Sequence, residues 1–130
     1  MHDFRDMEVW QRAHATSIEI NLLCRTFPRF EQYGLASQMR RSSTSVAFNI
    51  AEGFGRKVAL RSNADLLHFL SQSSGSLHEL DNQVEYAWKV SYVEIELATR
   101  LLADIALTRR KMGRLITYLR DHDREAPRRR

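Results

Sequence analysis

Leu66, Leu70, Ser73, Leu77, Leu80, Val84 and Ala87 recur at intervals of 4-3-4-3-4-3. Sustained over three heptads, that spacing puts one stripe along one side of a helix. It favours packing against nearly antiparallel neighbours, as in a bundle. A second seam follows at Ile95, Ala98, Leu102, Ile105, Arg109, Met112, Ile116 and Leu119, alternating 3-4 with one charged interruption. "SNAD" at Ser62–Asp65, with Asp in place of Glu, and "SYVE" at Ser91–Glu94 read as capping boxes opening these two helices. The short connection between them makes them antiparallel neighbours.

Two helices precede this pair. The first is predicted from roughly Phe4 to Thr26. Its stripe is Trp10, Ala13, Ser17, Ile20, Cys24 and Phe27, with Met7, His14, Ile18 and Leu22 beside it. Pro28 then disfavours further helix. The second is predicted from about Leu35 to Gly53, where Gly53 and Gly55 offer a left-handed stop. No stretch alternates as a half-buried strand does. The expected fold is all-α, an up-and-down antiparallel four-helix bundle over residues 1–121. The tail "DREAPRRR" is too polar to pack, so residues 122–130 are expected to be a disordered basic tail.

A chain of 130 residues fits one domain, large enough to bury about two-thirds of its unfolded surface. The single cysteine, Cys24, excludes an intramolecular disulfide and fits a reducing compartment. The N-terminal "MHDFRDMEVWQ" has no apolar core of a secretory signal. No apolar run approaches the roughly 20 residues that span a bilayer. A cytoplasmic protein without membrane contact is expected.

Catalytic and metal chemistry find little footing. Di-iron bundles use paired Glu-x-x-His motifs, whereas Asp65-Leu-Leu-His68 is a single copy and capping accounts for Asp65. His14 and His78 read as core-edge histidines. "GFGRK" lacks the preceding strand and the full glycine spacing of a phosphate loop, so a helix terminus is expected there. Cys24 sits on the apolar stripe of the first helix and reads as a buried, inert thiol. The four hydroxyls of Ser42–Ser45 have no general base within a turn. The expectation is no enzyme, no cofactor and no metal.

The charge is more informative. Residues 1–99 carry ten Lys/Arg against twelve Asp/Glu, and residues 100–130 carry ten against four. Basic clusters stand at Arg40-Arg41, Arg56-Lys57 with Arg61, Arg109-Arg110-Lys111 with Arg114, and Arg128–Arg130. Arg far outnumbers Lys, and its planar fork suits phosphate, where Lys would serve solubility equally well. Aromatic residues are not interleaved with these clusters, so contact with RNA or DNA is expected through the backbone. Arg40, Arg41, Arg56, Lys57, Arg61, Arg109, Arg110, Lys111 and Arg114 are the candidate nucleic-acid-binding residues. The alternative is an adaptor that docks a protein partner, such as a nucleic-acid enzyme.

The second helix is the oddest. Leu35, Met39, Ser42/Ser43, Val46, Asn49/Ile50 and Gly53 line one stripe. Small residues at Ser42, Ser43, Ala47 and Ala51 would admit a close neighbour. Asn49 needs a partner, because an unpaired buried amide costs about 1–3 kcal/mol. Glu52 needs a cation, and Arg40 or Arg41 is expected to supply it. Such a polar lock fixes register within the chain or between subunits.

The segments "VWQRAH", "FPRFEQYGLASQMRRSSTSVAFNIAEGFGR" and "HFLSQSSGSLHEL" resemble bacterial four-helix bundle proteins encoded by intervening sequences in 23S ribosomal RNA genes. The resemblance runs from about Met7 to Leu119. Gln38, Arg40, Arg41, Asn49, Glu52 and Gly53 fall on its signature positions. This chain differs in having Ser42-Ser43 and Ser73-Ser74 where alanines are typical, and Val90-Ser91-Tyr92 where Leu-Gly-Tyr is usual. The resemblance implies a homopentamer of bundles without enzymatic activity. In architecture it is also similar to the accessory variability determinant of diversity-generating retroelements, a basic pentamer that binds its reverse transcriptase and nucleic acid.

Overall fold

A computed structural model of the chain describes residues 3–125. It contains four long helices: α1 (Glu8–Cys24), α2 (Leu35–Leu60), α3 (Asn63–Lys89) and α4 (Ile95–Glu125). Two short 3₁₀ turns, Phe4–Asp6 and Arg29–Glu31, precede α1 and α2. Among the described residues each helix packs on two neighbours, α1 on α2, α2 on α3, α3 on α4, and α4 back on α1. The antiparallel, up-and-down bundle read from the sequence is the observed fold. No helix among the described residues is long and apolar enough to cross a membrane.

The α3 seam is buried as spaced, with Leu66, Leu70, Ser73, Leu77, Leu80, Val84 and Ala87 all inside. The α4 seam turns slightly from expectation. Leu101 and Thr108 are buried, while Leu102 and Arg109 sit at the edge and Ile95 is exposed. The charged interruption thereby disappears: the buried line reads Ala98, Leu101, Ile105, Thr108, Met112 and Leu119. Thr108 answers its hydroxyl locally, donating to the Asp104 carbonyl at 2.9 Å.

The first helix is shorter than predicted. Asp3 caps the 3₁₀ turn by accepting from the Arg5 amide at 2.9 Å, and Met7 is extended. Met7 thereby drops its side chain into the core at the end of the bundle. Trp10 is only partly buried, and Ile18 and Leu22 are about half exposed. His14 and His78 are exposed rather than at the core edge, and His14 stacks on Trp10 with ring centroids 4.5 Å apart.

The second helix does not stop at Gly53 or Gly55. It runs on through "GFGRK" to Leu60 and ends at Arg61, which takes the left-handed conformation at φ 53°. Gly53 is instead a contact residue, where a Cβ would lie 2.8 Å from Phe69 Cβ and 3.3 Å from Leu66 Cα. The glycine lets α3 approach α2.

The Ser62 cap opens α3 as expected, with its hydroxyl accepting from the Ala64 amide at 3.2 Å. Ser91 does not cap α4. It closes α3 at φ 66°, with the Tyr92 amide donating to the Ala87 carbonyl at 2.8 Å and the Ser91 amide to the Trp88 carbonyl at 2.9 Å. That is a Schellman end, in which the left-handed position is usually glycine. Helix α4 starts one residue past Glu94 and continues to Glu125, beyond the expected boundary at 121. The remainder of the expected tail, residues 126–130, lies outside the described residues.

Candidate nucleic-acid interface

The hydroxyl run of α2 is spent on helix packing. Ser42 donates to Glu79 at 3.3 Å, and Ser76 of α3 donates to Ser45 at 2.9 Å. Ser43 and Thr44 donate back to the Arg40 carbonyl at 3.1 and 2.8 Å. Asn49 is half-buried and donates its amide to the Ser45 carbonyl at 2.8 Å and the Ser45 hydroxyl at 2.9 Å. Its partner is one turn back on its own helix. Cys24 is fully buried, and burial pushes its thiol up, with the nearby Arg40 cation opposing.

Glu52 pairs with Arg56, one turn on, at 3.2 Å, correcting the expected pairing with Arg40 or Arg41. Arg40 points elsewhere and donates to Gln32 at 3.0 Å. The reason is spacing: four residues along a helix brings side chains together, whereas twelve puts them three turns apart.

The nine candidate cations divide by what already holds them. Arg56 is tied to Glu52 and lies over the Phe69 ring. Arg109 of α4 reaches Asp81 of α3 at 3.2 Å. Lys111 reaches Glu8 of α1 at 3.1 Å. Its hydrogen bond and that from Arg12 hold the Glu8 carboxyl below its ordinary range. Arg41, Lys57, Arg61, Arg110 and Arg114 make no ion pair among the described residues.

Four of those five line two grooves that share Tyr118. Lys57 and Arg61 line an end groove of about 570 Å³ that also includes Phe54, Leu115 and Tyr118. Arg110 and Arg114 line the adjoining groove, which contains Tyr118 and Asp121 as well. The two clusters are over forty residues apart in sequence. Helices α2 and α4 stand diagonally across the bundle and run in the same direction, so their C-terminal parts reach one end. Arg41 is on α2 near the other end.

A separate ion cluster joins α1 and α4. Arg100 forks onto Glu19, with one arm at 3.0 Å, and reaches Asp104 at 3.3 Å. The Arg100 hydrogen bond holds the Glu19 carboxyl below its ordinary range. Among the described residues no group of three or more His, Cys, Asp or Glu side chains is arranged to hold a metal ion.

An all-helical up-and-down bundle with four unpaired cations toward one end is the class that fold and surface define. The chain belongs to the 23S rRNA-intervening sequence protein family, which matches residues 5–114. No curated protein matches it.

Proposed function

We propose that the protein is a non-catalytic, cytoplasmic homo-oligomer that binds RNA or DNA through the phosphate backbone. The observation that carries this reading is the set of Lys57, Arg61, Arg110 and Arg114 lining two grooves that share Tyr118, none of them in an ion pair among the described residues although Asp121 lines the second groove. Guanidinium groups without an internal carboxylate have their donors available for phosphate oxygens. Several copies would multiply a weak patch by avidity. Self-association is supported by Phe48, 69 % exposed on the outer side of α2. It shares that side with Arg41, so a second copy could cover an apolar ring and meet an unpaired cation.

The test is a titration of labelled structured RNA at several salt concentrations. Affinity should fall steeply with salt, and replacing Lys57, Arg61, Arg110 and Arg114 by Gln should lower the slope by about one for each phosphate no longer neutralised. Affinity that stays flat from low to moderate salt would overturn the electrostatic mechanism. Sedimentation of the free protein measures the number of copies.

A further inference from the structure

The connection between α1 and α2 holds two aromatic rings in solvent. Tyr33 is 97 % exposed and Phe30 78 %. They stand three positions apart, Phe30 within the 3₁₀ turn Arg29–Glu31 and Tyr33 just past its end. Neither ring packs on another among the described residues.

The connection that carries them is tied down from within. Gln32 donates to the Cys24 and Phe27 carbonyls at 2.9 and 3.1 Å, and Arg40 donates to Gln32 at 3.0 Å. The Tyr92 hydroxyl donates to Glu31 at 3.0 Å. Phe27 is buried against Tyr92, with centroids 5.3 Å apart. Thus Phe27, Glu31 and Gln32 fix the backbone, and Phe30 and Tyr33 are left facing out. The neighbouring Arg25 and Arg29 are also exposed and make no ion pair among the described residues. The one acid of the segment, Glu31, is engaged by Tyr92.

Exposed aromatic rings on a tied-down backbone, beside guanidiniums in no ion pair, suit unpaired bases, which stack on the rings while the cations meet adjoining phosphates. Charge favours this occupant over a basic or neutral protein surface. A duplex keeps its base faces stacked inside and offers the rings nothing. We infer that this connection is a stacking site for single-stranded nucleic acid, with Phe30 and Tyr33 each receiving a base and Arg25 and Arg29 the phosphates beside them. The inference rests on the nucleic-acid reading above and adds that the ligand carries unpaired bases.

Wild type and a Phe30→Ala/Tyr33→Ala variant are titrated with a labelled single-stranded oligonucleotide and with its duplex. Both rings are exposed, so the variant should keep its helical signal and melting temperature. Single-strand affinity should fall about tenfold or more, with duplex affinity unchanged. A Phe30→Trp variant should restore or exceed wild-type single-strand affinity.

Equal losses on both ligands, or no loss on the single strand, would overturn the stacking site and leave backbone binding standing. Wild type that binds neither ligand at low salt would end both readings. A variant that sediments as a smaller species would assign the rings to contact between copies, and the stacking site would again fall.

Discussion

The Ser73 hydroxyl of α3 donates to the Val46 carbonyl of α2 at 2.7 Å, and both residues are sealed from solvent. A hydroxyl bonding to a mid-helix carbonyl of a neighbouring helix requires the two backbones to lie close. Ser73 fits because it is small and its one polar group is answered. Ser73→Ala should therefore cost within about 1 kcal/mol, the net worth of one hydrogen bond. Ser73→Leu should cost about 1–3 kcal/mol or more through overpacking. Urea denaturation of the two variants checks the order.

The same close approach separates two glycines that stand two residues apart on α2. Gly53→Ala would place a Cβ 2.8 Å from Phe69 Cβ, and the clash should outweigh the roughly 1 kcal/mol of helix propensity gained. Gly55 meets nothing within 4 Å, so Gly55→Ala should stabilise by about 0.5–1 kcal/mol. Melting temperatures moving in the same direction would contradict this account of α2–α3 packing.

Ser91 holds φ at 66° without the freedom of glycine. Left-handed geometry costs an L-residue about 1–2 kcal/mol, partly offset in a Gly variant by the larger entropy of its unfolded chain. Ser91→Gly should therefore raise stability by about 0.5–1 kcal/mol. An unchanged or lower melting temperature would show that Ser91 is held there without strain.

Acid should loosen the α1–α4 seam. Lys111 and Arg12 depress the Glu8 carboxyl, and Arg100 depresses that of Glu19. A depressed carboxylate contributes stability that is present above its unfolded pKa, about 4.3, and lost as pH falls through the lower folded value. The wild type should lose stability below that pH more steeply than Glu8→Gln/Glu19→Gln, a comparison made by thermal melts across the acid range. Parallel pH profiles would mean that solvent screening already cancels these exposed pairs.

Among the basic clusters, pairing should govern effect. Replacing Arg109 with Gln removes a half-exposed partner of Asp81. It should change stability by no more than about 1 kcal/mol and leave the salt slope of RNA binding nearly unaltered. Replacing Arg110 should do the reverse. Salt titrations and melts on the two variants, one position apart, separate these effects.

The bundle was legible because burial follows period. The α3 seam and most of the α2 stripe are apolar or small at the positions that face inward, and Pro28 and Ser62 mark real boundaries. What spacing misread were residues whose role depends on a neighbour. Gly53 and Gly55 carry the composition of a helix stop, but packing against Phe69 and Leu66 gives Gly53 a role inside the helix. Ser91-x-x-Glu94 has capping-box spacing, but the serine is consumed in ending α3. Arg25 and Arg29 belong to no cluster in sequence, and the exposure of Phe30 and Tyr33 depends on bonds from Gln32 to Cys24 and Phe27 and from Tyr92 to Glu31 that no linear pattern announces.

The sequence by itself determined four amphipathic helices, their order and their antiparallel run, because a 3-4 spacing leaves each helix one face to bury. It also determined that cations concentrate toward the C-terminal quarter. Only the tertiary structure decided which cations remain available. An ion pair such as Arg109–Asp81 or Lys111–Glu8 forms between helices remote in sequence, and whether one forms depends on distances of a few ångströms set by packing. The same packing set Lys57 and Arg61 in one groove and Arg110 and Arg114 in another that shares Tyr118.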